Sequence, residues 1–357
     1  MGITNNIEKS QLNIGFMPLT DCAPFVVGIE KGFFAHWGLD VSLRKQNSWV
    51  AMRDKLQSGQ LDAGHMLAPM PMACTLGLGG QKVAMLAPMV LSRNGNAITI
   101  SSKLRQEILA INQIEQIPLP MPSSLLLNII DVRALKGEKL RLATVYPYSC
   151  HYYQLLSWLA QGGVASDSVD ILIIPPLHMV EALSRGDIDA FCVGGPWNAQ
   201  AVREQDGFTG VTSSDIWPDF PEKVLAITQE WYASNTATTR ALICALQQSC
   251  DWLRDVPNRF EAARWLASKA YLDTEIDIVA PSLIGSCLTH SDAEPRDIPS
   301  YNQFSGDNSN QSNCPNFTFG EWLHSQMYAA GHLEGNICAD KLITEVFRPD
   351  IYKAAFE

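Results

Sequence analysis

The chain has 357 residues, 46% of them hydrophobic, and its 37 acidic against 26 basic side chains give a formal net charge of −11. That length suits two lobes of ordinary size rather than one small core. The acidic balance excludes a general binder of nucleic-acid backbone, which needs a basic face, so an anion site here must be a local positive pocket.

No apolar stretch approaches the roughly eighteen residues that span a bilayer. The opening MGITNNIEKSQLNIGF lacks the basic start and apolar run of a secretion signal, which predicts a cytoplasmic protein. Nine cysteines, scattered and without a Cys-x-x-Cys pair, fit reduced thiols rather than a disulfide framework. The seven histidines show no metal-ligand spacing. No phosphate-binding glycine motif appears, and Cys150 beside His151 in sequence is not a thiolate–imidazole pair. These observations predict no enzyme, no metal and no cofactor.

In chain order, Leu12–Met17 alternates apolar residues and stops at Pro18, predicting a strand. Thr20 and Asp21 are placed to cap the helix predicted for CAPFVVGIEKGFF, with Pro24 in its first turn. A second strand, LDVSLRKQ (39–46), precedes a helix ending at Gly59, and a third strand follows inside LQSGQLDAGHMLAPMP (56–71). From Leu140 the plan recurs. LRLATVYPYSCHYYQLLSWLAQGG gives a strand, a proline, a serine turn and a helix closed by Gly162-Gly163. VDILIIPP (169–176), a helix ending at Gly186 and LSRGDIDAFCVGGPWN (183–198) complete it. The quoted units start at residues 56 and 183, an offset of 127.

Two copies of strand–helix–strand–helix–strand predict an α/β, bilobal fold. NAITISSKL (96–104) opens the second lobe, and the chain crosses back near residue 213. The expected division is 12–98 with 214–357 for lobe 1, including C-terminal helices broken at Pro257, and 99–213 for lobe 2. Residues 290–316 are polar and patternless, predicting a mobile surface loop. Trp158, Trp252 and Trp265 lie on apolar helix faces and read as core. Ligands of such lobes sit beyond the carboxyl ends of the strands, where helix N-termini leave N–H groups unpaired, so an interlobe cleft suits a small anion.

IGFMPLTDCAPFVVGIEKGFFAHWGLDVSL, SWVAMRDKL, HMLAPMP, NGNAIT, VGGPWNAQAV and WPDFPEKVL resemble the nitrate-binding proteins of ABC importers, across roughly residues 12–270. The resemblance implies a type II periplasmic-binding-protein fold. It implies nitrate contacts at Trp49, Gly95, Asn96, His151 and Lys223, with His65, Pro196 and Trp197 as cleft wall. Asn96 stands where importer members carry glutamine, and Tyr148-Ser-Cys replaces a Gly-Gly-Thr-like turn. Gly195 stands where many relatives carry Glu. A planar anion with three acceptor oxygens wants a fixed cation, N–H donors and a flat wall, which Lys223, His151 and Trp49 can supply. On residue type alone, Lys223 follows Pro-Glu in a turn-like stretch and reads as an exposed lysine.

Because the chain reads as lacking an export address, it is further similar to the cytoplasmic nitrate/nitrite sensor (NasS-type) branch. That similarity implies nitrate or nitrite as ligand and an ANTAR-type RNA-binding antiterminator as protein partner, with no direct nucleic-acid or membrane contact. The alternative is the substrate-binding component of an ABC-type nitrate importer whose leader has been removed.

Overall fold

In the computed structural model, which describes residues 7–305, 313–334 and 337–357, the chain divides into two units. Unit 1 comprises Met1–Arg93, Phe220–Thr274 and Gln303–Glu357; unit 2 comprises Asn94–Asp219 and Glu275–Asn302. The strands that carry them are β1 (Gln11–Phe16), β2 (Asp40–Lys45), β3 (Ala63–Leu67), β4 (Met85–Asn94), β5 (Asn96–Ser101), β6 (Leu140–Thr144), β7 (Val169–Ile173), β8 (Ala190–Gly194), β9 (Gly207–Thr212) and β10 (Pro221–Thr228).

In unit 1 the strand order runs β4-β10-β3-β1-β2; in unit 2 it runs β7-β6-β8-β5-β9. β1 is parallel to β2 and β3, and β6 is parallel to β7 and β8. In both sheets the last repeated strand then meets an antiparallel partner, β10 on β3 and β5 on β8. β3 and β8 are buried along their whole length, as apolar runs covered on both faces should be. Each is preceded by a glycine in left-handed conformation, Gly59 (φ 73°) and Gly186 (φ 72°), which turns the chain out of a helix without a Cβ clash.

Ile14, Leu225, Leu242 and Leu246 belong to the core of unit 1, and Ile98, Leu142, Leu155 and Phe208 to that of unit 2. The helix Trp49–Gln57 lies tight on β1: a Cβ on Gly15 would come 2.5 Å from Met52 Sδ. No helix among the described residues is long and apolar enough to cross a membrane. None of the nine cysteines is in a disulfide.

Several expectations change. The unit boundaries fall at 93/94 and 219/220 rather than 98/99 and 213/214, and residues 275–302 belong to unit 2, not to lobe 1. Of the loop expected at 290–316, residues 306–312 lie outside the described residues, and much of the rest is packed. Ile298 and Tyr301 join a small core with Ala97 and Cys287, and Asn313 Nδ2 donates to the carbonyls of Val90 and Phe304, each at 2.7 Å. Side-chain amides there satisfy buried backbone groups, which a hydropathy pattern does not reveal.

The first helix ends at Glu30, before Gly32 (φ 72°), and a separate turn, Phe33–His36, follows. The N-cap position of that helix is Cys22; Thr20 and Asp21 sit before it in a 3-10 turn, Thr20–Cys22. The PEK stretch is no turn, because Pro221 opens β10, where a missing N–H is tolerated. Trp158 is buried, whereas Trp252 and Trp265 are only half-buried and stack on each other at 5.5 Å.

Candidate functional site

Unit 1 gathers its polar chemistry around one ammonium group. Lys223 and Leu225 are two apart on β10 and so share a face, and Leu225 pairs with His65 of β3. Lys223 and His65 therefore project from the same side of the sheet, and both are fully buried. Asp21, in the turn before the helix Ala23–Glu30, reaches both: Oδ2 is 2.6 Å from Lys223 Nζ, and Oδ1 is 3.3 Å from His65 Nε2. Glu222 Oε1 lies 3.0 Å from the same ammonium.

Trp49 opens its helix after Ser48, whose side chain accepts from Ala51 N–H at 3.1 Å. Its ring centroid is 5.7 Å from Lys223 Nζ and 6.2 Å from the His65 ring. Phe25 closes another side of His65 at 5.8 Å. Neither Trp49 Nε1 nor His65 Nδ1 has a hydrogen-bond partner among the described residues.

Burial sets the electrostatics. It would raise the Asp21 carboxyl, but Lys223 and then His65 hold it well below the usual carboxylate range. Burial pulls Lys223 down, yet Asp21 and Glu222 together hold it above the ordinary lysine value. His65 falls below the ordinary histidine value through burial, with Asp21 opposing and Lys223 adding to the fall. At neutral pH Asp21 is thus a carboxylate, Lys223 an ammonium and His65 a neutral imidazole. Lys223 Nζ donates to Glu222 Oε1 at 3.0 Å, is paired with Asp21 Oδ2 and lies 5.7 Å from the Trp49 ring centroid.

Unit 2 gathers neutral groups. Asn96, fully buried at the start of β5, donates from Nδ2 to Gln154 Oε1 at 2.9 Å and from its backbone N–H to Ser213 Oγ at 3.3 Å. Gln154 and His151 are three apart on the helix Cys150–Gln161, one face of the same turn, and both are buried. Ser149 caps that helix, accepting from Tyr152 N–H at 3.0 Å while donating to the Tyr146 carbonyl at 2.6 Å. Gly95 (φ 93°) accepts from Gly195 N–H at 3.2 Å, and Pro196 and Trp197 follow Gly195 in the chain. Trp197 is buried, and its Nε1 has no hydrogen-bond partner among the described residues.

The expected residues thus form two groups, Trp49, His65 and Lys223 in unit 1, and Gly95, Asn96, His151, Pro196 and Trp197 in unit 2. Sequence reasoning missed Asp21, Glu222 and Gln154. Asp21 looked like a helix cap, Glu222 signalled only by adjacency to Lys223, and Gln154 by its spacing from His151. A hollow of about 1020 Å³ in unit 2 lies elsewhere. Arg133 on its wall is already paired with Glu107 and Asp189, each at 3.0 Å, so its charge is spent internally.

A family model described as NMT1-like matches residues 5–267, well over half the chain. The chain belongs to the NMT1-like family. Within it, the chain is 31% identical over 357 residues to the nitrate/nitrite binding protein NrtA of Synechococcus elongatus, covering 98% of this chain and 78% of that protein. It is 37% identical over 354 residues to the nitrate import ATP-binding protein NrtC of Synechocystis sp., covering 98% of this chain but 50% of that protein. The chain therefore spans about half the length of that relative. Among solved structures it is similar to the periplasmic nitrate-binding protein NrtA from Synechocystis PCC 6803, with a TM-score of 0.89 at 25% identity, covering 98% of this chain and 89% of that one. This NMT1-like chain has the bilobal, periplasmic-binding-protein-like α/β fold that its sequence predicts.

Proposed function

We propose that this chain binds nitrate or nitrite, with Trp49, Gly95, Asn96, His151 and Lys223 as contact residues. The observation that carries the proposal is the fully buried Lys223 ammonium beside the unpartnered indole N–H of Trp49. A charged hydrogen bond from such a group contributes roughly 1.5–3 kcal/mol. Membership of a family with nitrate-binding members supports the choice of anion.

The finer reading makes the chain a cytoplasmic sensor that regulates nitrate assimilation genes. It holds an ANTAR-type RNA-binding antiterminator inactive and releases it on ligand binding, and it acts without catalysis, metal or cofactor. Its support is the resemblance to the sensor branch. Ligand shifts such an equilibrium only by its preference for the releasing state. A second reading, a binding component of an ABC-type nitrate importer, draws support from the match to a nitrate import ATP-binding protein along nearly the whole of this chain.

Two experiments test these readings. Calorimetry with nitrate, nitrite, bicarbonate and an alkyl sulfonate, on wild type and Lys223→Glu, should show heat for nitrate or nitrite that the variant loses. The bicarbonate arm matters because a bicarbonate-binding protein, CmpA of Synechococcus elongatus, is 29% identical over 297 residues. Titrating nitrate into the purified sensor–antiterminator complex should dissociate it, and a complex intact at saturating nitrate rejects the sensor reading.

A further inference from the structure

Buried side-chain carboxamides elsewhere in the protein are bonded at both ends. Gln46 donates to the Arg44 carbonyl and accepts from Lys55. Asn198 donates to the Val193 carbonyl and accepts from Thr99 Oγ1, each at 2.8 Å. Gln247 donates to Asp251 and Asn313 and accepts from Tyr352 Oη. Gln154 differs. It is 2% exposed and its Oε1 accepts from Asn96 Nδ2 at 2.9 Å, but its Nε2 donates to no group among the described residues. Amide donors left unengaged at that depth are costly, so the arrangement calls for an acceptor from outside the chain.

The fold explains why this amide lies beside Asn96. Asn96 shares a face of β5 with Ile98 and Ile100, which pack in one core with Leu155 and Trp158. On the helix Cys150–Gln161, His151, Gln154, Leu155 and Trp158 keep the i, i+3, i+4, i+7 spacing of a single face. The apolar half of that face covers the sheet, and its polar half, His151 and Gln154, reaches the strand end that carries Asn96. Two buried hydroxyls of the unit have other partners. Ser213 Oγ accepts from the Asn96 backbone N–H, and Ser149 Oγ caps the helix while donating to the Tyr146 carbonyl.

We propose that Gln154 is a further contact residue for the anion, donating from Nε2 to a ligand oxygen while Asn96 holds its Oε1. This rests on the anion-binding reading above and adds a residue to it. A carboxamide is planar, with its donors and its acceptor on opposite sides of one carbon. The bond from Asn96 therefore fixes the plane of the donors as well as covering the oxygen, the end that would repel an anion. Asn96 thus has a second role, as the positioning residue of Gln154. No charge changes and no proton is transferred; the anion gains a neutral N–H donor in a buried setting, where a hydrogen bond to a charged group counts for more than one between neutral groups.

Two measurements test the contact. Calorimetric titration of nitrate at pH 7.5 compares wild type with Gln154→Met and Gln154→Glu, each checked for folding by circular dichroism. Gln154→Glu keeps an acceptor for Asn96 but has no N–H, so a residue that only held Asn96 would tolerate it, whereas a donor to the anion would not. Both variants should bind nitrate about tenfold or more weakly. Nuclear magnetic resonance on glutamine labelled with nitrogen-15 in the side chain, with Gln154 assigned by its missing signals in Gln154→Met, gives the second readout. Saturating nitrate should shift the Gln154 amide signals and slow their exchange with solvent. Wild-type affinity in either variant, or Gln154 signals that nitrate leaves unmoved, overturns this inference alone. No nitrate heat in wild type overturns the anion-binding reading and this inference with it.

Discussion

Lys223 and Asn96 occupy the same place in two different units. Lys223 pairs with Leu67 of β3, and Asn96 pairs with Gly194 of β8. Leu67 and Gly194 are themselves separated by the repeat offset, since 67 + 127 = 194. Each side chain stands on an antiparallel strand that lies outside the repeated segment. In unit 1 that place holds an ammonium between two carboxylates; in unit 2 it holds an amide bonded to Gln154. The lesson is that the backbone plan fixes where a polar group enters the sheet, while the side chain decides whether the place carries charge. Charge makes the position costlier to disturb, because a removed partner leaves a buried ion behind.

The comparison breaks first, if it breaks, at Lys223. Lys223→Met takes the ammonium away from the buried Asp21 carboxylate and should cost about 3–5 kcal/mol in urea unfolding. Asn96→Ala leaves the Gln154 oxygen without its donor and should cost only about 1–3 kcal/mol; equal losses would show that charge is not what separates the units. The next effect is pH-dependent. His65 in the folded chain lies below its unfolded value of about 6.5, so the unfolded chain binds more protons as the medium is acidified. Stability contributed by His65 is present above that value and should fall by up to about 1.4 kcal/mol per pH unit below it. His65→Gln should flatten that part of the profile, measured by thermal unfolding from pH 7 to 5. The smallest effects should match between units. Ser48→Ala and Ser149→Ala each remove a helix cap and should each cost about 1 kcal/mol.

The repeated segments were open to reading because their signals are local. Alternation marks β1 and β6, a serine precedes the helices at Trp49 and Cys150, and a glycine of positive φ closes the helices before β3 and β8. The strand β10 was not readable. WPDFP supplies turn residues up to its first position, and its pairing with β3 joins segments far apart in the chain. Asp21 illustrates the same limit: its position before a helix and its residue type both favour a cap, yet a buried ammonium brought by β10 takes its carboxylate instead. In 290–316 the polar composition hid side-chain amides that serve as internal donors, such as Asn313.

By itself, then, the sequence determined the two α/β repeats and their capped helices. Periodicity, caps and left-handed glycines act within a few residues and are written in the chain. Only the tertiary structure decided that Lys223 is buried rather than exposed, that Asp21 and Glu222 are its counter-ions, and that His65 shares Asp21 with it. The physical reason is that burial and charge pairing depend on which distant strand completes the sheet. That choice is made by backbone hydrogen bonds and packing across the whole unit.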